Sequence, residues 1–325
     1  MAVFTPVSES DATHLLSQYD LGELVSLNGI AAGIENSNFF LTTSKAQYVL
    51  TVFEVLNADQ LPFYVELMYH LACRDVAVPM PQTRKDGARI STLHGKPVII
   101  VTRLNGAWVR EPTARHCEIA ASTMARYQLA AQDFSIRQPN LRGLQWWQET
   151  TPKVMQLLNP SQLALLQSNL QAQIDLAASN KLAHLPLGPA HCDYFRDNVL
   201  FAGTPQAPAM GGVIDFYFAG CDHWIFDMAV AVNDWCVDLE TGELDPKRLG
   251  AWLRGYTAVR AFTAQEREVW PQMLRAAALR FWISRLYDYY HPRPAQSLKP
   301  HDPAQFERIL RLRTEVAIEP LLEKY

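Results

Sequence analysis

The chain has 325 residues, enough to bury a large core and to divide into more than one lobe. Its 29 basic and 33 acidic residues leave a formal net charge of −4 and no long basic run, which argues against a nucleic-acid partner. The five cysteines, Cys73, Cys117, Cys192, Cys221 and Cys236, are odd in number and never spaced as a metal pair, so they read as reduced thiols of a cytoplasmic protein.

The first residues lack a basic patch followed by an apolar stretch, so no signal peptide is expected. No apolar run approaches the roughly 20 residues needed to cross a bilayer. Ser8-Glu9-Ser10-Asp11 predicts a capping box opening a helix that ends near Tyr19. Strand signals follow at Leu24 to Leu27, Asn38 to Thr42 and Tyr48 to Phe53. Gln60 to Cys73 has helical spacing, with Leu61, Val65, Met68 and Ala72 on one stripe, and Pro79 and Pro81 break it. Pro97 to Val101 is a short apolar strand. This order predicts a small mixed N-terminal lobe over residues 1–103.

Past Arg103-Leu104-Asn105-Gly106 the texture becomes helical, and a hinge is expected at residues 103–107. Helices are predicted over Thr113 to Ala131, Pro160 to Ser179, Asp227 to Val237, Pro246 to Val259, Gln265 to Tyr290 and Pro303 to Leu322. These belong to a second lobe over residues 104–325. Ala202 to Met210 is expected to be a hairpin loop between two short strands, Asn198 to Phe201 and Gly212 to Asp215, and Pro292 to Pro300 an exposed connector.

The chemistry concentrates in His191-Cys192-Asp193-Tyr194-Phe195-Arg196-Asp197-Asn198 and in Asp215, which ends the strand Val213-Ile214. An Asp, an Asn shortly after it and a second Asp at a strand end make a kinase-type centre. Asp193 is expected to orient and deprotonate an attacking hydroxyl. Asn198 and Asp215 are expected to hold magnesium against nucleotide phosphates, since hard oxygen ligands suit that ion. The predicted hairpin brings Asn198 and Asp215 to one side. His191 is expected to hold the loop through backbone carbonyls, and Asp197 to be structural. Metal-dependent hydrolysis is the rival chemistry. It usually needs several histidine ligands, and only His191 and His184 lie near these carboxylates in sequence.

His191-x-Asp193-x-x-x-x-Asn198, Ile214-Asp215-Phe216 and Phe226-Asp227-Met228-Ala229 together resemble the aminoglycoside-phosphotransferase and choline-kinase superfamily. Gly33-Ile34-Glu35-Asn36-Ser37-Asn38-Phe39-Phe40, Gly212 through Gly220, Asn233-Asp234-Trp235-Cys236 and Arg280 through Leu286 are similar, within it, to the homoserine kinases of bacteria. The resemblance runs nearly end to end. It implies an α+β, two-lobed, protein-kinase-like fold with a small antiparallel-sheet N-lobe, a larger, mainly helical C-lobe and the site in the cleft. It further implies ATP and Mg²⁺ as cofactors and L-homoserine as the small molecule phosphorylated on its side-chain hydroxyl, a step toward threonine. Asp227 would then support the catalytic loop, besides capping its own helix.

The nucleotide lobe departs from the kinase pattern. Gly33 to Asn38 sits where a phosphate-covering loop belongs, with one Gly instead of several. Ser37 and Asn38 are the expected phosphate contacts, and a plain polar turn is the alternative. Tyr48 to Phe53 has no Lys near Thr51, where a kinase places one, although Glu66 matches the helix Glu that such a Lys would pair with. Lys45 is either a substitute or a solvated turn residue. A catalytically silent binding protein therefore stays open.

For the acceptor, Arg280 and Arg285 are the expected carboxylate contacts, with Arg196 next in line, and Asn233 and Asp234 would approach the ammonium. Arg280 and Arg285 stand about 140° apart around a helix, so they should not both face one ligand. A kinase of another hydroxylated metabolite, such as choline, a thioribose or an aminoglycoside, is the second reading. Tyr287, Tyr289 and Tyr290 would supply the aromatic cage that a choline-type pocket needs.

Overall fold

The structure is a computed structural model and describes residues 4–30, 36–291 and 301–315. Gly33-Ile34-Glu35, the connector from Pro292 to Pro300 and the last helix beyond Glu315 lie outside the described residues. The chain divides into two compact units, the first running up to Asn105 and the second starting at Gly106.

The first unit opens with α1 (Glu9–Leu16). The Ser8 hydroxyl accepts from the N–H of Asp11 at 3.1 Å, and the Asp11 carboxylate accepts from the N–H of Ser8 at 2.9 Å. This is the expected capping box, which satisfies amides that no helical carbonyl can reach. The helix stops at Leu16 rather than near Tyr19. Then come β1 (Leu24–Gly29), β2 (Asn36–Thr43), β3 (Gln47–Phe53), α2 (Leu61–Ala72), β4 (Ser91–Leu93) and β5 (Lys96–Thr102). The strands form one antiparallel sheet in the order β1-β2-β3-β5-β4.

Period-two alternation puts Phe39, Leu41, Leu50, Val52, Val98 and Ile100 on one face, where they share a core with Leu15 and Leu16 of α1. The opposite face brings Asn38 and Thr51 together as cross-strand partners. β4 escaped the sequence reading because it is so short. Its turn, His94-Gly95, has φ of 52° and 76°, the left-handed pair that a two-residue hairpin requires.

The second unit contains α3 (Ala114–Ala130), α4 (Leu144–Met155), α5 (Pro160–Ala178), β6 (Leu187–Ala190), β7 (Val199–Thr204), β8 (Ala207–Val213), β9 (Gly220–His223), α6 (Trp224–Trp235), α7 (Pro246–Thr257), α8 (Ala264–Tyr290) and α9 (Ala304–Glu315). α4 was not among the predicted helices and carries Pro152 in its third turn. α3 and α7 cross so closely that a Cβ on Gly255 would lie 2.2 Å from the carbonyl oxygen of Glu118. β7 and β8 form the expected hairpin, but the strands reach Thr204 and resume at Ala207, leaving a far shorter loop than Ala202 to Met210. Trp235, Trp252, Trp270 and Trp282 are all buried in this unit. The five cysteines are free thiols. Among the described residues, no helix is long and apolar enough to cross a membrane.

Candidate active site

The loop from His191 to Asn198 joins β6 to β7, and α6 holds it from beneath. Asp227, Asp234 and Trp235 recur at the spacing of one helical face. The Asp227 carboxylate accepts from the N–H of Cys192 at 2.8 Å and of His191 at 3.1 Å. Burial pushes its pKa up to about 7, against the pull of those two backbone bonds. Asp234 accepts from the N–H of Arg196 at 2.9 Å and from its Nε at 3.1 Å. The Trp235 indole donates to the carbonyl of Tyr194 at 3.0 Å. Asp227 therefore does not cap its helix: α6 begins at Trp224, with His223 as the cap position, and the carboxylate reaches out to the loop amides.

His191 ties the loop to the strand leading to Asp215. Its Nε2 lies 2.9 Å from the carbonyl oxygen of Ile214 and must carry a proton to donate there. Full burial lowers its pKa to about 4, so the ring is neutral at physiological pH. The chain turns at Cys192, where φ is 60°. For a residue other than Gly that conformation costs on the order of 1–3 kcal/mol and persists only because its surroundings enforce it.

Asp193 and Asn198 touch. The Asn198 amide donates to the Asp193 carboxylate at 3.0 Å and to the Asp193 carbonyl at 2.8 Å. The N–H of Ile214 donates to the carbonyl of Asn198 at 2.9 Å, and Val199 pairs with Val213. Asn198 and Asp215 therefore flank the same end of the hairpin. Asp215 adopts the left-handed conformation, at φ 61° and ψ 60°, and is exposed. Asp193 is half-buried and Asn198 buried, while Asp197 is exposed beside them. Among the described residues, no three His, Cys, Asp or Glu side chains come together as a metal cluster.

Several expected contacts are placed elsewhere. Ser37 is fully buried. Its hydroxyl accepts from the N–H groups of Phe4 at 2.8 Å and Thr5 at 3.0 Å and donates to Glu54 at 2.6 Å, so it does not present itself to a phosphate. Asn38 accepts from the Thr51 hydroxyl at 2.8 Å, which gives the position lacking a Lys a local partner. Lys45 donates to the carbonyl of Asp20, as a turn residue would. Glu66 pairs with Arg89 at 2.8 Å. Asn233 is buried between the Leu274 carbonyl and Arg313, away from any ammonium. Asp234 already has Arg196 as its cation, and that pair removes Arg196 as a carboxylate site. Tyr289 and Tyr290 are exposed, and Tyr287 faces the Lys153 ammonium at 5.7 Å, so the cage is not formed.

Arg280 is 3% exposed, and Arg285 donates to Gln305 at 2.7 Å. Burial lowers the pKa of each to about 10, and the Asp193 carboxylate opposes that shift in both. The charge of Asp193 is felt by both arginines, while Arg285 is turned to Gln305, so the two do not face one partner. Tyr127, whose hydroxyl accepts from the N–H of His191 at 3.1 Å, was not singled out in the sequence. Nor was Arg142, which lies over the ring of Trp146. Nothing local in either stretch marks these long-range partners.

A carboxylate fixed by an amide, with a second carboxylate at the end of the paired strand, is the arrangement expected of a kinase-like phosphotransferase. The Phosphotransferase enzyme family model matches residues 26–262, and the chain belongs to that family. A homoserine kinase from Burkholderia vietnamiensis is 56% identical over 317 residues, covering 96% of this chain and 96% of that protein. Among solved structures, a microcompartment-associated aminopropanol kinase has a TM-score of 0.66 at 19% identity and covers 94% of each chain. An amicoumacin kinase has a TM-score of 0.67 at 13% identity, covering 98% of this chain and 94% of its own. These two likenesses concern the fold.

Proposed function

We propose that this chain is an ATP-dependent homoserine kinase, which transfers the γ-phosphoryl group of ATP to the side-chain hydroxyl of L-homoserine and yields O-phospho-L-homoserine on the way to threonine. The observation that carries this reading is the 56% identity with a homoserine kinase over nearly the whole of both chains. The geometry supports it. Asp193 receives the acceptor hydroxyl and takes its proton, while the Asn198 amide fixes the carboxylate in one orientation.

Because the Asn198 amide nitrogen is turned to Asp193, its oxygen is directed away, and Asp215 stands exposed at the same hairpin end. A carboxylate and an amide oxygen fit magnesium, which leaves its other positions to phosphate oxygens and water. Asn198 and Asp215 would hold that ion, which when bound neutralises charge on the phosphoryl oxygens.

The test is ADP release with L-homoserine, choline, ethanolamine and an aminoglycoside as acceptors. L-Homoserine should have the highest kcat/KM. A higher value for choline or ethanolamine would move the chain to the amino-alcohol kinases. No ADP release with any acceptor would favour a silent nucleotide-binding protein.

A further inference from the structure

We infer that Arg280 is the acceptor-recognition residue of this site, a buried guanidinium that binds the carboxylate of the amino-acid substrate while Asp193 receives its hydroxyl. This rests on the homoserine reading above and deepens it.

Arg280 lies between the two segments that carry the chemistry. Its guanidinium sits 3.8 Å from the ring centre of Phe281 and 5.5 Å from that of Phe218. Phe218 closes the short turn that begins at Asp215. Phe281 in turn packs at 4.4 Å against Phe195, two residues after Asp193. The aromatic faces hold the cation without satisfying its N–H groups. Among the described residues, no acid lies within ion-pairing distance of Arg280, and no hydrogen bond reaches its guanidinium. Yet only 3% of it is exposed. A buried charge without a hydrogen-bonded partner is costly unless a ligand supplies one.

The neighbouring arginines do not share this condition. Arg196 is held by Asp234 and by the carbonyl of Arg110, and Arg285 by Gln305. Arg142 adds positive charge beside Arg280, which is felt as a further lowering of the Arg280 pKa. Its loop is pinned by the N–H of Cys221 donating to the carbonyl of Gln138 at 2.6 Å. That contact needs Gly220, whose added Cβ would lie 2.6 Å from the Cα of Asn140. Asp193, Arg142 and Phe218 are each half-buried, so solvent reaches the surroundings of Arg280 on their side. A carboxylate matches the planar fork of a guanidinium. In homoserine, only a short carbon chain separates that group from the hydroxyl.

The test compares L-homoserine with 3-aminopropan-1-ol, which is homoserine without its carboxylate. In Arg280→Met, kcat/KM for L-homoserine should fall roughly 10–150-fold, mainly through KM, the range for losing a charge-assisted hydrogen bond. The value for 3-aminopropan-1-ol should stay within about twofold. Arg280→Lys should recover part of the loss, and Arg285→Met should leave the ratio of the two acceptors unchanged. A parallel fall for both acceptors, or an Arg285→Met variant that abolishes the preference, would overturn the assignment. The unmodified protein gives a second arm that does not depend on a variant folding. L-Homoserine amide keeps the hydroxyl and ammonium but lacks the negative charge, and it should show a KM raised at least tenfold, whereas an equal KM would refute carboxylate recognition. Absence of homoserine turnover in the wild-type protein would overturn the homoserine reading and this one with it. Turnover with an unmoved acceptor ratio in Arg280→Met would overturn only the role of Arg280.

Discussion

The Asn198 amide donates to the Asp193 carboxylate at 3.0 Å, so the proposed metal ligand and the proposed base are joined by one hydrogen bond. The same amide also holds the Asp193 carbonyl, which fixes both ends of the residue relative to the hairpin. The base is thereby oriented before substrate arrives, as positioning catalysis requires.

Replacing the base should leave nucleotide binding nearly intact. Asp193→Asn is expected to lower kcat roughly 10²–10⁴-fold, the range for a positioned acid–base group. ATP affinity, read by equilibrium titration, should change little. A variant retaining more than a third of wild-type kcat would remove Asp193 from the mechanism.

The metal assignment predicts a graded response. Asn198→Ala and Asp215→Ala should each raise the magnesium concentration needed for half-maximal activity, and Asp215→Ala should be the worse. A carboxylate offers a full charge, an amide only a dipole. Magnesium titrations that superimpose on wild type would reject both ligands.

Thr51 occupies the strand position of a kinase lysine but donates to its cross-strand neighbour Asn38 at 2.8 Å. Thr51→Ala should cost about 0.5–1.5 kcal/mol in a denaturant melt, the usual worth of such a bond. Its kcat/KM should fall less than about tenfold. A loss of several orders of magnitude would give the hydroxyl a phosphate contact instead.

Two buried groups, one in the loop and one on the helix beneath it, make opposite pH contributions. The His191 pKa falls from 6.5 to about 4 on burial. Within that window the unfolded chain gains a proton that the folded chain refuses. Stability therefore drops as pH falls, by about 3 kcal/mol once complete. Asp227 is raised from 3.8 to about 7, so the folded chain keeps a proton that the unfolded chain has released. Its contribution is present at low pH and fades as pH rises toward 7. Urea melts between pH 4 and 7 should find His191→Gln less sensitive to acid than wild type and Asp227→Asn more sensitive. Coincident slopes in all three proteins would refute both burial effects.

Local patterns were legible where structure is local. The Ser8 capping box, the alternation in β2 and β3 and the hairpin joining Asn198 to Asp215 all depend on neighbours a few residues apart or on turn chemistry. The illegible features depend on distant partners. Ser37 looks available in sequence until Thr5 and Glu54 engage it. Asp234 reads as a ligand until Arg196 arrives from the catalytic loop. The 140° between Arg280 and Arg285 suggested separate destinations, and Arg280 lies over Phe281 and Phe218 while Arg285 donates to Gln305, partners that nothing in the local sequence names. α4 carries Pro152 in its third turn, where the ring removes one i→i−4 hydrogen bond and the rest of the helix persists.

Asp227, Asp234 and Trp235 each bind backbone groups of the loop from a single face of α6. A surface loop ordinarily opens on its own, at little free-energy cost. Here, releasing the amides of His191, Cys192 and Arg196 would strip two carboxylates of a buried helix of their backbone donors. Loop and helix are therefore expected to open as one cooperative unit. Amide hydrogen exchange should find the N–H groups of His191, Cys192 and Arg196 as slow as those of α6, and rapid exchange at these three would separate loop from helix.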